Sequence, residues 1–242
     1  QQIKRSASPA ARNYPVAGLL PAGFDAIDAA KKKSDEGYMT LKWKIGVRPF
    51  AVETAIFEKL LAFLPEAVSL RLDANGGLRK NELEGWLEVL SRNPGQIDYL
   101  EQPLPAGEEA LMAELAEASG IPIALDESLN MPGRERWLTP GAWGGPLVIK
   151  PLLMGNVTPL LEKLKPLAKQ IVFSSVFETG IGLFHALDLA DGLPRMKYAI
   201  GFDTITAFGD DLAGLAPTPL FQVKERANMN LESIWKQLPP LS

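Results

Sequence analysis

Thr40-Leu41-Lys42-Trp43-Lys44-Ile45-Gly46 is the stretch whose reading decides the fold. Apolar and charged residues alternate in it. An extended backbone therefore puts Leu41, Trp43 and Ile45 on one face and Lys42 and Lys44 on the other. The apolar face needs a helix layer to cover it, and the run over 52–64 (VETAIFEKLLAFL), with apolar residues three and four apart, supplies one. The lysine face must then line the inside of whatever the sheet encloses.

The same unit recurs along the chain. Short apolar segments stand at about 17–20, 40–46, 68–73, 97–101, 121–126, 146–150, 171–175 and 198–202. Helical periodicity follows over 52–64, 80–91, 108–118 and 158–169. Strand alternating with helix implies parallel strands joined by right-handed crossovers. Eight such units predict an α/β fold of the TIM type, a (β/α)8 or (β/α)7β barrel, over residues 16–209. An irregular segment is expected over 1–15. A tail rich in proline and leucine, without clear period, is expected to wrap the barrel over 210–242.

Lys44, Asp73, Glu101, Asp126 and Lys150 lie near the ends of five successive apolar segments. The intervals are 29, 28, 25 and 24 residues (73−44, 101−73, 126−101, 150−126), each about one strand, one helix and two loops. In a closed barrel the C-terminal strand ends converge on one mouth. Alternation sends Asp73 inward with Arg71, Asp126 inward with Ala124, and Lys150 to the face of Val148. A lone aspartate at a strand end is commonly a cap or turn former. Three acids between inward lysines are different, because barrel interiors are filled mainly by branched apolar side chains and unpaired buried charge is costly. Two readings stand: mutual salt bridges, or a divalent-cation site between two acid/base groups. Hard oxygen ligands suit Mg2+, with Mn2+ as a substitute. Zinc is disfavoured by the absence of cysteine and the presence of one histidine. The constellation reads as an enzyme's.

Other positions carry two readings each. Asn75 either hydrogen-bonds a ligand or makes the turn with Gly76 and Gly77. Glu127 either supports the neighbouring Asp126 from behind or is a helix-start acid. Ser174, Ser175 and Gly180, at the end of the seventh segment, either hold an anionic substrate group or form an ordinary loop and cap. His185 sits in an apolar helical run and is expected to be packed; Lys31-Lys32-Lys33 is expected to be a solvated helix end.

A net charge of −4 argues against nucleic acid or an anionic membrane as the main partner. Without cysteine there is neither a disulfide framework nor thiolate chemistry, which fits a cytoplasmic protein. No apolar run reaches the length of a membrane span. Oligomeric state is left open.

Taken together, Thr40-Leu-Lys42-Trp-Lys44-Ile-Gly46, Leu72-Asp73-Ala-Asn75, Leu100-Glu101-Gln102-Pro103, Leu125-Asp126-Glu127-Ser128 and Ile149-Lys150-Pro151 resemble the enolase superfamily, in its Lys-x-Lys branch. Within that branch, Lys150-Pro151-Leu152, Ser174-Ser175-Val-Phe-Glu178-Thr179-Gly180 and Gly201-Phe-Asp203-Thr204 are similar to motifs of its o-succinylbenzoate synthases. The resemblance implies a small-molecule carboxylate substrate and Mg2+ on Asp73, Glu101 and Asp126. It also implies Lys44 as the base, with Lys42 beside it, and Lys150 across the substrate. The implied reaction is a dehydration toward menaquinone or phylloquinone. The alternatives are N-succinylamino acid racemase or dipeptide epimerase activity, or a metal-binding barrel without catalysis. Members also carry an N-terminal α+β capping domain over the mouth, and no counterpart is expected before residue 16.

Overall fold

The computed structural model describes residues 12–207, 216–222 and 231–237. Its elements in chain order are β1 (Tyr14–Pro15), β2 (Ala17–Leu20), α1 (Asp25–Asp35), β3 (Thr40–Lys44), α2 (Phe50–Phe63), β4 (Ser69–Asp73), α3 (Lys80–Leu90), β5 (Ile97–Glu101), α4 (Glu109–Ser119), β6 (Ile123–Ala124), β7 (Leu147–Ile149), α5 (Val157–Leu164), β8 (Ile171–Phe173), α6 (Gly180–Asp191), β9 (Leu220–Phe221) and α7 (Leu231–Gln237). Short 3-10 turns join several of them.

The strands form a ring. β2 through β6 pair in order as one parallel sheet, and β7 pairs with β8 in parallel. Single parallel bridges complete the circuit: Leu125 to Leu147, Ser174 to Gly201, and Ile200 back to Val16. The expected eighth strand at 198–202 is thus reduced to Ile200 and Gly201, held by Gly201 N–H on the Phe173 carbonyl (2.7 Å) and Ala17 N–H on the Ile200 carbonyl (2.9 Å). Eight parallel positions therefore close into a barrel, as the repeated unit implies.

The outward strand faces and the helices make the main core. Leu41, Trp43 and Ile45 are buried there against Ile56, Phe57 and Leu60 of α2 and Leu83 and Trp86 of α3. Trp86 meets Phe50, Phe57 and Trp43 edge-on, with centroids 5.5, 6.0 and 6.4 Å away. Each buried aliphatic side chain of this layer contributes about 1.5–3 kcal/mol. A second, smaller cluster of Tyr99, Ala124, Val148 and Val172, with Tyr198 against it, fills the barrel interior. These are the residues that alternate with the outward set, so strand parity predicts the two cores correctly.

Several expectations need correction. Tyr14 and Pro15, expected within an irregular segment, pair antiparallel with Phe221 and Leu220. The expected helix over 158–169 breaks after Leu164 into a 3-10 turn that carries Pro166. His185 is exposed, because the buried stripe of α6 runs through Leu183, Phe184, Ala186 and Leu187 instead. Lys33 is not a freely solvated helix end, since its ammonium pairs with Asp203 and lies over the Tyr38 ring. Of the proposed segments, residues 1–11, 208–215, 223–230 and 238–242 lie outside the described residues.

Candidate active site

Register brings the candidate residues side by side. Lys44 of β3 stands opposite Asp73 of β4, which stands opposite Glu101 of β5. Glu101 is opposite Ala124 of β6, and Asp126 follows two residues further toward the mouth. Asp73, Glu101 and Asp126 are all buried, whereas Lys44 is exposed at the rim.

Two lysines lie between the acids. Lys42 Nζ donates to Glu101 Oε1 at 2.7 Å and contacts Asp73 Oδ2 at 2.8 Å. Lys150 Nζ donates to Asp126 Oδ2 at 2.6 Å. Burial disfavours charge on Lys42, but Glu101 and Asp73 outweigh it and hold the amine protonated far above the ordinary lysine range. Glu101 is pushed up to about 8, first by burial and then by the charge of Asp73, with Asp126 adding to it and Lys42 opposing. Glu127 is also raised, by burial and by Asp126 beside it.

Convergence of three carboxylates on one common point, the simplest form of a metal centre, is not the arrangement seen among the described residues. Buried acids turn to the nearest cations, and here those are Lys42 and Lys150. The donor set still fits a hard cation. Glu101 Oε2 and Asp126 Oδ1 are buried with no hydrogen-bond partner, and so is Glu127 Oε2. Unsatisfied, mutually repelling carboxylate oxygens on adjacent strands call for positive charge.

The surrounding residues hold these acids in place. Asn75, in the left-handed region at φ 46°, donates its N–H to Asp73 Oδ1 (3.0 Å) and its side-chain amide to Glu127 Oε1 (3.1 Å). It therefore makes the turn and also contacts both acids. Ser175 is engaged internally: its hydroxyl donates to Glu178 Oε2 (2.5 Å) and accepts from Phe177 N–H and Thr204 Oγ1 (2.7 Å each). Ser174 is buried, with its hydroxyl 3.4 Å from the Gly201 carbonyl, and Gly180 opens α6. A carboxylate thus already occupies the serine cluster.

Gln102 is a residue whose part the sequence reading missed. It is fully buried at φ 33°. Its Oε1 accepts from the N–H groups of Asp126 (2.9 Å) and Ser128 (3.2 Å), and its Nε2 donates to Ser128 Oγ (2.9 Å) and the Leu104 carbonyl (3.0 Å). It fastens the end of β5 to the end of β6 and so spaces Glu101 from Asp126. Its place between Glu101 and Pro103 was the available signal, but the partners are 24 and 26 residues away.

Comparisons with known proteins identify the family and the fold. Residues 25–155 match the family model described as enolase C-terminal domain-like. The o-succinylbenzoate synthase of Thermosynechococcus vestitus is 36% identical over an alignment of 213 residues that covers 81% of this chain and 65% of that protein. The chain thus spans less than two thirds of that curated relative. The crystal structure of o-succinylbenzoate synthase from Thermosynechococcus elongatus, complexed with Mg in the active site, superposes with a TM-score of 0.75 at 31% identity, covering 98% of this chain and 70% of that one. The L-Ala-D/L-Glu epimerase of Bacillus subtilis shares the fold, with a TM-score of 0.70 at 23% identity, over 83% of this chain and 57% of that one.

Proposed function

The chain belongs to the enolase C-terminal domain-like family, and from that premise we propose that it is the catalytic barrel of an o-succinylbenzoate synthase. Such an enzyme is a metal-dependent lyase. It dehydrates 2-succinyl-6-hydroxy-2,4-cyclohexadiene-1-carboxylate to 2-succinylbenzoate, on the route to menaquinone or phylloquinone in the cytoplasm. The observation that carries this reading is the row Lys44–Asp73–Glu101 in register, with Lys150 tied to Asp126 and unsatisfied oxygens on Glu101 and Asp126 between them.

The chemistry follows from the residues. A proton beside a carboxylate is weakly acidic, and its removal leaves a dianionic enediolate. Asp73, Glu101 and Asp126 would hold Mg2+, or Mn2+ in its place, which supplies positive charge for that dianion when bound. Lys44 takes the proton and returns it to the hydroxyl on the same face. A C–H and a C–O bond break, a C=C bond forms, and water leaves. Lys42, held as ammonium by two acids, orients Asp73 and Glu101 rather than serving as a base. Lys150 contributes a cation opposite Lys44, through charge or over the π face of the ring. Asn75 and Glu127 steady the acids, while Ser174, Ser175 and Gly180 shape the rim where the substrate enters.

The rim also fits a cover. Phe24, Val47, Met131, Leu152 and Phe177 are exposed and follow the C-terminal ends of β2, β3, β6, β7 and β8. Apolar groups around a mouth mark a surface that another element covers, and the family's capping domain is our assignment.

Assay of the full-length protein with Mg2+ tests the reading through water loss and gain of aromatic absorbance. Lys44→Ala should lower turnover by at least about 10²–10⁴-fold while leaving fold and metal binding intact, and near-normal activity in that variant would remove Lys44 as the base. Racemase or epimerase activity is the second reading, favoured by Lys150, which directly follows β7 and pairs with Asp126, where a second base would stand. Lys150→Arg separates the two, because arginine keeps the charge but stays protonated. Dehydration should survive in part and two-base racemisation should stop. Efficient racemisation without dehydration in the unmutated enzyme would overturn the synthase assignment.

A further inference from the structure

We propose that Glu53 is a positioning residue for Lys44, an inference that rests on reading Lys44 as the proton-abstracting base. Lys44 ends β3, and the chain then turns sharply at Gly46, whose φ of 77° lies in the left-handed region that glycine enters without steric cost. The turn aims three successive N–H groups at one spot, and the Glu53 carboxylate fills it. Gly46 N–H donates to Oε2 at 2.8 Å; Val47 and Arg48 N–H donate to Oε1 at 3.0 and 2.9 Å. Glu53 lies near the start of α2 and is 1% exposed.

On the other side, Ile45 N–H donates to the Asp73 carbonyl at 2.9 Å, which continues the pairing with β4 past Lys44. The backbone on the C-terminal side of Lys44 is thus tied both to the strand that bears Asp73 and to helix α2. A buried carboxylate accepting N–H bonds makes hydrogen bonds about twice as strong as neutral ones. An exposed lysine has a flexible four-carbon stem, so the protein controls its aim chiefly through the direction of its Cα–Cβ bond. Glu53 fixes that direction through the turn, without reaching the substrate itself.

The test uses the full-length protein with Mg2+ and the variants Glu53→Gln and Glu53→Asp. Glutamine keeps the shape but sets an amide NH2 or a neutral oxygen against the three donors. Expected for Glu53→Gln are an unchanged KM and Mg2+ affinity, a kcat lower by about 10–100-fold as for a catalytic group misplaced by a fraction of an ångström, and altered trinitrobenzenesulfonate labelling of Lys44 relative to Lys150, read by mass spectrometry. Glu53→Asp restores the charge and should recover part of kcat; it also serves as the measured variant if the glutamine form does not fold. A kcat within about twofold of the unmutated enzyme in a folded variant overturns the proposal. So does a loss of kcat matched by equal losses in Mg2+ affinity and melting temperature. If the unmutated protein neither dehydrates nor racemises, the reading of Lys44 as a base fails. Lys44 labelling alone then decides, and an unchanged rate overturns the positioning role.

Discussion

Burial and charge act together on Glu101. Its side chain is almost wholly buried, one oxygen meets Lys42 and the other meets no donor. Folding raises its carboxyl from about 4.5 to about 8. Between those values the folded metal-free protein retains a proton that the unfolded chain has released. Stability of the metal-free protein should therefore fall as pH climbs from about 5 to 8, as seen in denaturant midpoints. Mg2+ competes with that proton, so its apparent affinity should rise by up to about tenfold per pH unit below pH 8 and then level off. Calorimetric titration at pH 6, 7 and 8 checks this, and an affinity independent of pH would contradict it. Glu101→Gln should abolish both the slope and the binding.

At the scale of elements, the site depends on how neighbouring strand ends are spaced. Between β6 and β7 the crossover is built from two 3-10 turns, Glu127–Asn130 and Arg134–Leu138, where the other crossovers carry an α-helix. The breakers Pro132, Gly133, Pro140, Gly141, Gly144 and Gly145 supply the physical reason. Strand faces were legible in the sequence, since Lys42, Asp73 and Asp126 lie inward as the period of two requires. The bonds of Gln102 were not, because a glutamine beside a glutamate carries no local sign of what it will meet. Gln102→Leu would leave the Asp126 and Ser128 N–H groups buried without acceptors, at about 1–3 kcal/mol each. Urea denaturation should therefore show a loss of about 2–6 kcal/mol, with weaker Mg2+ binding because the two carboxylates lose their spacing. A folded variant with undiminished Mg2+ affinity would mean that Gln102 does not set the site.

For the whole molecule, closing the ring depends on contacts across long stretches of chain. Asp203, just past the eighth barrel position, accepts from Leu19 N–H (2.7 Å) on β2 and Tyr38 OH (3.0 Å), and it pairs with Lys33 of α1. Gly18 leaves the room: a Cβ there would lie 2.7 Å from Lys33 Cδ and 2.9 Å from Tyr38 Cδ1. Asp203→Ala should cost about 1–3 kcal/mol, because the Leu19 N–H, the Tyr38 hydroxyl and the Lys33 ammonium lose their shared acceptor in a half-buried site. A melting temperature unchanged by that substitution would show that the ring closes without the pair.

The sequence by itself determined the barrel strands, most helices, the inward faces and the even recurrence of charged strand ends, because side-chain direction follows from the local period of the backbone. Only the tertiary structure decided the pairing of those charges. Lys42 on Asp73 and Glu101, Lys150 on Asp126, and Lys33 on Asp203 each depend on which groups folding brings within about 3 Å and removes from water. Hydrogen bonds and ion pairs are short-ranged and sensitive to direction. Residues 24 to 170 positions apart therefore acquire their partners only when the barrel closes.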